Sequence, residues 1–533
     1  MKRPTRSRPV LSADPGPART SQRWVVWLVA LVGLAAAAYP LTFANMLTGV
    51  HGFASGAGYD DGVYLSSALR WVHGAVPYRD FMFVHPPGIA WLMSPIAIAD
   101  RWIGARDALV LCRVATVLVA GLNCALAALA VRHRGTVAML CAGVILAGFP
   151  GAYNADHTLL LEPWLVLFCL VTFVLAFPGG RLAATPPRLL AAGLCAGFAG
   201  TIKIWAILPL AAVLIACLLL RRRGSLPFLG GATLGFVLPC LPFLILAPSA
   251  FVRDVFVAQF ARSITGSGPD AVTRIGIMTG LKHLGETPST LPVVGVALAV
   301  LAGVAVLLLA ARHRLSPADW TVAAACLFVV VGLFAPVQFY DHYAYFSAAF
   351  LALLLGSCCG LAAHGLVAVA RGRLPAGGLT CVAAAVPVAV CAALLLAVPQ
   401  GLGRARAYFA EATDPVAIVA GLIPRGSCVL FDNPSLVLVG DRLSATAPGC
   451  PSLVDPFGLW LTEADGSTPH LGEPLPAAFV QQWSTWFGQA DFIVLSVPGS
   501  SFIPFSAELI DQFNRQFYLA GSADHAYVFA RAG

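Results

Sequence analysis

Apolar residues come in long blocks along most of this chain, and the polar residues between them are confined to short connections. The blocks lie at 24–46, 106–131, 136–151, 159–177, 188–202, 203–220, 227–247, 290–311, 320–337, 344–369 and 378–399. A helix needs about 20 apolar residues to cross a bilayer, so the pattern predicts a polytopic bundle of about eleven transmembrane helices. Within 188–220 the first half could instead be re-entrant. Alternate connections are basic: Arg132-His133-Arg134, 181–188, Arg221-Arg222-Arg223, Arg312-His313-Arg314 and Arg371-Gly372-Arg373. The intervening ones hold Asp60, Asp61, Asp80, Asp156, Asp270, Glu286 and Asp341. Because arginine and lysine are retained in cytoplasmic loops, the basic connections and the basic tail 1–23 are expected inside. The first helix is then an uncleaved span, and an odd number of spans puts the C-terminus outside.

Two outer segments interrupt the rhythm. The loop 45–105 is long and rich in charge, aromatics and proline, and its apolar stretch 88–98 is too short to cross, so it is expected on or dipping into the outer face. From about 401 to 533 apolar density drops to that of a soluble α/β module, an extracytoplasmic domain with short buried strands at 428–431, 436–439, 492–497 and 526–529. The membrane domain is accordingly 24–400.

Composition narrows the function. Hydrophobic residues make up 59% and charged residues 11% of 533, against roughly 45–50% and about 25% in soluble proteins, which excludes an ordinary soluble enzyme. The net charge of +8 comes from the basic connections, so it points to the bilayer and not to nucleic acid. Twelve of 14 cysteines lie in or beside spans and act as small hydrophobes. Cys428 and Cys450, in the exported tail, are free to pair in an oxidising compartment. Gly193, Gly197, Gly230 and Gly231 sit inside spans with no preceding soluble strand, so they are packing or kink glycines and no nucleotide cofactor is expected. No internal repeat is visible, which weighs against a repeat-built transporter.

The candidate chemistry gathers on the outer side. Tyr59-Asp60-Asp61-Gly62-Val63-Tyr64 opens a short amphipathic helix; by itself, an aspartate there can simply cap the helix. The passage continues through Tyr78-Arg79-Asp80 to His85-Pro86-Pro87. Together these resemble the first outer loop of the GT-C superfamily of lipid-dependent glycosyltransferases, in particular the family 39 branch of protein O-mannosyltransferases and aminoarabinose transferases. Those enzymes carry an acidic pair after the first helix, a tyrosine three residues on, and His-Pro-Pro or Lys-Pro-Pro at the end of the loop. Leu161-Glu162-Pro163, Gly200-Thr201-Ile202-Lys203 and the polar aromatic segment 339–345, ending at Tyr345, extend the resemblance over about residues 24–400. The second acid is Asp61 where the family has glutamate.

The resemblance implies an inverting transfer of a sugar such as mannose or arabinose from a polyprenyl-phosphate-linked donor to a glycan, glycolipid or protein acceptor at the outer face. Asp60 takes the place of the base that removes the acceptor's proton. Asp61 would orient the acceptor, assist a divalent ion or tune Asp60. Lys203, one of three lysines in the chain, would meet the lipid phosphate unless it merely snorkels. His85 and Arg79 are further phosphate candidates, although Arg79 beside Asp80 can equally fix the loop. Tyr64, Glu162 and Tyr345 complete the expected substrate site, and Asp61, His85 and Asp80 are the candidate ligands of any divalent metal. Asp156-His157 and Asp341-His342 read as loop contacts, and Asp455-Pro456 as a turn. The rival functions are a flippase of lipid-linked saccharide and a non-catalytic glycolipid-binding subunit. Arginine far outnumbers lysine, as in high-GC bacterial genes, which points to a plasma membrane of that kind.

Overall fold

The computed structural model describes residues 22–42, 58–152, 155–261, 268–280, 290–371, 373–375, 377–392, 415–443, 449–463, 476–498, 502–503, 505–523 and 525–533. Glu286 and the junction expected near 400 lie outside the described residues.

Each apolar block contains a helix. The first half of the chain runs α1 (Arg23–Thr42), α2 (Tyr59–Val72), α3 (Gly88–Ile103), α4 (Ala105–Ala130), α5 (Thr136–Ala147), α6 (Leu161–Ala176), α7 (Pro186–Ile202), α8 (Ile207–Leu220) and α9 (Arg222–Leu246). Three short elements follow, α10 (Pro248–Val252), α11 (Ala258–Ala261) and α12 (Ala271–Thr279). Then come α13 (Thr290–Ala310), α14 (Pro317–Gly332), α15 (Ala344–Ala370) and α16 (Gly377–Ala392). Three helical stretches among the described residues are long and apolar enough to cross a membrane by length and composition: Ala105–Ala130, Arg222–Leu246 and Asp341–Ala370. The exterior shows the solvent these helices are built for. Trp27 is 72% and Leu219 79% exposed, whereas Asp61, Arg113 and Glu162 are buried. Apolar groups outside and charges inside invert the arrangement of a soluble protein and suit a lipid surround.

Helix direction fixes two ends. Helix α15 starts beside Asp341 and His342 and runs 27 residues, about 40 Å at 1.5 Å per residue, past His364. Helix α6 runs the same way, and α7 returns from Arg188 to Lys203. The basic connections meet at one end, where Arg134 donates to Arg314 O (2.7 Å) and both His133 and Arg134 pair with Asp319 in the first turn of α14. The acidic connections meet at the other. Helices α7 and α9 touch backbone to backbone: a Cβ added at Gly193 would lie 2.1 Å from Phe228 O, and one at Gly235 2.2 Å from Leu194 O. These are the close approaches expected of small residues between membrane helices.

The tail forms α17 (Val416–Leu422), β1 (Val429–Phe431), α18 (Pro434–Val439), α19 (Pro456–Glu463), α20 (Ala477–Gln489), β2 (Phe492–Leu495), α21 (Ala507–Gln516), β3 (Phe517–Ala523) and β4 (Ala526–Arg531). The sheet order is β1-β2-β4-β3, with β1 and β2 parallel and the other pairs antiparallel. The strand expected at 436–439 is a helix. Pro434 occupies its first turn and the Asn433 side chain accepts from Ser435 N (3.0 Å), which favours a helix start. A fully buried apolar run carries no periodicity to reveal this. Strand β3 was not expected, because its exposed face weakens the apolar signal. Cys428 and Cys450 form a disulfide.

Candidate active site

Helix α2 carries the acidic pair. Its N-cap is Gly58 with no side-chain cap, and Asp60 and Asp61 are in the first turn, so neither aspartate serves as the N-cap. The two then diverge. Asp61 is buried, and its Oδ2 accepts from Arg113 Nε (2.8 Å) and Nη2 (2.6 Å), with Arg113 fully buried in α4. Asp60 is half-buried and lines a cavity of about 460 Å3. No ion pair or side-chain hydrogen bond engages Asp60 among the described residues.

Two close approaches bring the other residues to this cavity. A Cβ at Gly88 would fall 2.5 Å from Thr201 Oγ1, so the start of α3 presses on the end of α7. That contact places His85 and Lys203 on one cavity. Tyr78 supports the loop from a left-handed backbone (φ 70°), donating its hydroxyl to His85 O (2.7 Å) and packing edge-on against Phe243 and Phe251. The His85 ring meets Tyr64 edge-on at 5.5 Å. Likewise a Cβ at Gly62 would fall 2.5 Å from Ser435 N, so only glycine lets α2 seat against α18 of the tail.

Lys203 breaks from α7 in an extended conformation. Its ammonium bonds Glu162 Oε1 (2.6 Å) and stands 3.9 Å from the Trp205 ring centre and 4.1 Å from that of Tyr343. A buried lysine held by a carboxylate and two aromatic faces is not snorkelling to an interface. Asp341, His342 and Tyr343, at the entry to α15, complete that wall.

The roof comes from the tail. Asp455, Phe457 and Phe502 line the same cavity. Tyr59 donates to Asp455 Oδ1 (2.7 Å) and accepts from Phe457 N (2.8 Å). Burial, reinforced by the Asp455 carboxylate, raises the Tyr59 hydroxyl above its usual range, so it remains a donor. Ser435 Oγ also bonds Gly58 O, and Arg70 Nη2 reaches Leu453 O (3.3 Å).

Of the residues expected in the site, Asp60, Asp61, Tyr64, His85 and Lys203 share the cavity. Glu162 stands behind Lys203 and is buried. Tyr345 lies in the core, where Asn123 Nδ2 donates to its hydroxyl (3.1 Å). Arg79 is elsewhere: exposed, it forms a bidentate pair with Asp80, and that pair holds the Asp80 carboxyl below its usual range.

No family sequence model matches the chain, and no curated protein matches it in sequence. Among solved structures, ArnT from Cupriavidus metallidurans bound to undecaprenyl phosphate aligns at 16% identity with a TM-score of 0.57, over 97% of this chain and 99% of that one. The apo state of ArnT aligns at 16% identity and 0.60, over 96% and 98%. The archaeal oligosaccharyltransferase AglB from Archaeoglobus fulgidus, in complex with an inhibitory peptide and a dolichol-phosphate, aligns at 12% identity and 0.55, over 97% and 75%. The chain has the GT-C fold.

In this GT-C fold two of the residues named as metal ligands pair with arginine, Asp61 with Arg113 and Asp80 with Arg79. The described residues contain no group of three or more His, Cys, Asp or Glu side chains placed to hold a metal ion. Asp61 accepts from the guanidinium of Arg113, and it shares the cavity with His85. Sequence reasoning passed over Arg113, although an arginine inside an apolar run is itself a functional signal. It also took Asp455 for a turn, and nothing local in Asp455-Pro456 announces a partner 396 residues away.

Proposed function

We propose that this protein is an inverting glycosyltransferase that moves a sugar such as mannose or arabinose from a polyprenyl phosphate to a cell-envelope acceptor at the outer face of the plasma membrane. The observation that carries the reading is the division of labour between neighbouring aspartates: Asp61 is committed to Arg113, while Asp60 faces the cavity that also holds Lys203 and His85. In the reaction an acceptor hydroxyl attacks the anomeric carbon as the bond from that carbon to the phosphate oxygen breaks. The acceptor's proton passes to Asp60, and the bonding pair leaves with the lipid phosphate.

Lys203 supplies positive charge to the departing phosphate. Its ammonium is shared with Glu162, so Glu162 holds the lysine in place and limits the net charge in the site. His85 lies on the same wall and offers a second donor. The arginine behind Asp61 fixes the start of α2, and with it Asp60, at the cavity edge. Asp455, Phe457 and Phe502 face the space in which an acceptor would rest. ArnT was solved with undecaprenyl phosphate and AglB with dolichol-phosphate, and both ligands are the class of lipid phosphate proposed here. No step is assigned to a metal. The N-terminus and the basic end of the bundle are then cytoplasmic and the tail extracytoplasmic.

The test is sugar transfer in membranes containing the protein, supplied separately with radiolabelled polyprenyl-phosphate mannose and arabinose, beside Asp60→Asn. Loss of a positioned base costs about 10²–10⁴-fold in rate. Transfer from one donor that falls by that factor at unchanged expression supports the reading and names the sugar. Undiminished transfer in Asp60→Asn removes the proposed base.

A further inference from the structure

A second cavity, of about 920 Å3, opens at the end of the bundle opposite Asp60. Its wall is assembled from separate stretches of chain: Arg23 at the start of α1, Arg132 and Arg134 between α4 and α5, Arg188 in the first turn of α7 and His364 in α15. No carboxylate lines it among the described residues.

The arginines are not equivalent. Arg134 is neutralised by Asp319 behind the wall. Arg188 donates to Leu175 O (2.8 Å) and Val174 O (3.3 Å) at the end of α6, where carbonyls lack helical partners. Arg23 and Arg132 are exposed, and neither has an ion pair among the described residues. The preference of cytoplasmic loops for arginine puts such residues at this end, but it does not gather them round one void. Like charges around a shared space repel unless an anion sits among them.

The depth of the cavity says what kind of anion. Arg23 is followed by Trp24 and Trp27, 52% and 72% exposed, and exposed tryptophans at the start of an apolar helix mark the headgroup level. Leu28 and Leu31, also exposed on α1, continue the lipid-facing surface inward. Val26, Leu129 and Met139 line the cavity itself, so a ligand with its charge there meets apolar surface for the start of a tail.

We propose that this cavity binds the phosphate headgroup of an anionic membrane lipid, with Arg23 and Arg132 as its direct contacts. Arg188 and Arg134 shape the wall and are held by their own bonds. Basic pockets between helices on the cytoplasmic side are suited to such headgroups. An anionic glycerophospholipid and a polyprenyl phosphate share the required chemistry, a phosphate ester on a lipid tail.

The experiment is native mass spectrometry on the delipidated full-length protein in detergent. It is titrated separately with cardiolipin, phosphatidylglycerol, decaprenyl phosphate, phosphatidylcholine and inorganic phosphate, and compared with Arg23→Gln/Arg132→Gln and with Lys203→Met. The wild type should bind anionic lipid in preference to phosphatidylcholine and to inorganic phosphate. Taking about a factor of five for each basic group beside a lipid phosphate, the double variant should bind roughly 25-fold more weakly, whereas Lys203→Met should retain that binding. Whichever anionic lipid shows the loss in the double variant, but not in Lys203→Met, identifies the source. The proposal is overturned if the double variant binds like the wild type, or if lipid loss follows Lys203→Met alone. Equal binding of phosphatidylcholine by the wild type overturns it too, and that comparison stands even if the double variant fails to fold.

Discussion

The two ends of this bundle handle charge in opposite ways. At the end carrying Asp60 the charges are buried and matched across elements: Asp61 with Arg113, Glu162 with Lys203. Removing charges from water is costly enough that a buried one calls for compensation, and among the described residues neither of these pairs engages Asp60, which lines the cavity. At the basic end, among the described residues, only Asp319 is buried against arginine and histidine, and Arg23 and Arg132 are exposed with no ion pair. The first arrangement suits chemistry, since it fixes groups in place before a substrate arrives. The second suits attraction, since an unmatched positive surface acts on whatever anionic lipid is near.

The comparison is broken most severely at Arg113. Arg113→Leu strands Asp61 as a buried, uncompensated carboxylate, and breaking a buried pair from one side costs about 3–5 kcal/mol. Thermal unfolding in detergent should show a large loss for the single variant and a smaller one for Arg113→Leu/Asp61→Leu, in which no charge is stranded. If the single variant is as stable as the parent, Asp61 is not committed to Arg113, and its exclusion from the proton-transfer role fails with it.

A milder change separates the roof from the floor of the cavity. Tyr59→Phe keeps the ring against Phe457 and Phe502 but deletes the hydroxyl that joins α2 to Asp455 and Phe457 N. A hydrogen bond of this kind contributes about 1 kcal/mol, so the acceptor's KM should rise about five-fold with kcat little changed. A fall in kcat at constant KM would mean instead that the seam positions Asp60 for the chemical step. Because burial and Asp455 raise the Tyr59 hydroxyl above its usual range, the wild-type KM should not change with pH through ionisation of Tyr59 anywhere below its ordinary value of about 10.

These contrasts also show what the sequence disclosed and why it stopped. The apolar blocks located the helices because lipid-facing and core-facing residues alike must be apolar in a bundle of this kind. The alternation of basic and acidic connections sorted them correctly onto two ends. The site was legible where its residues are neighbours in sequence or carry a family pattern, as in Asp60, Tyr64 and His85. It was illegible where the role arises from a fold-level encounter. The bond from Lys203 to Glu162, 41 residues apart, and the close approach of Gly88 to Thr201 that brings His85 and that lysine to one cavity have no local signature. In the tail, the buried run 436–439 could not declare itself helix or strand without knowing that both of its faces would be covered.

The smallest expected effect tests the edge of the site. Arg79 had two readings, a phosphate contact or a loop pair with Asp80, and it is exposed and turned to Asp80, on a different cavity. Exposed pairs contribute little, so Arg79→Ala should leave transfer within about two-fold of the parent at neutral pH. The pair does have a pH signature of known sign. Arg79 lowers the Asp80 carboxyl, which also accepts from Val76 N (2.7 Å). Its contribution to the loop is therefore present above the ordinary carboxylate value of about 3.9 and fades as pH falls through the lowered one. Transfer measured from pH 7 down to pH 5 should thus show the same profile in Arg79→Ala as in the parent. A ten-fold loss at pH 7 with a raised donor KM would instead return Arg79 to the phosphate site, and would mean that the loop 73–87 rearranges when the lipid donor binds.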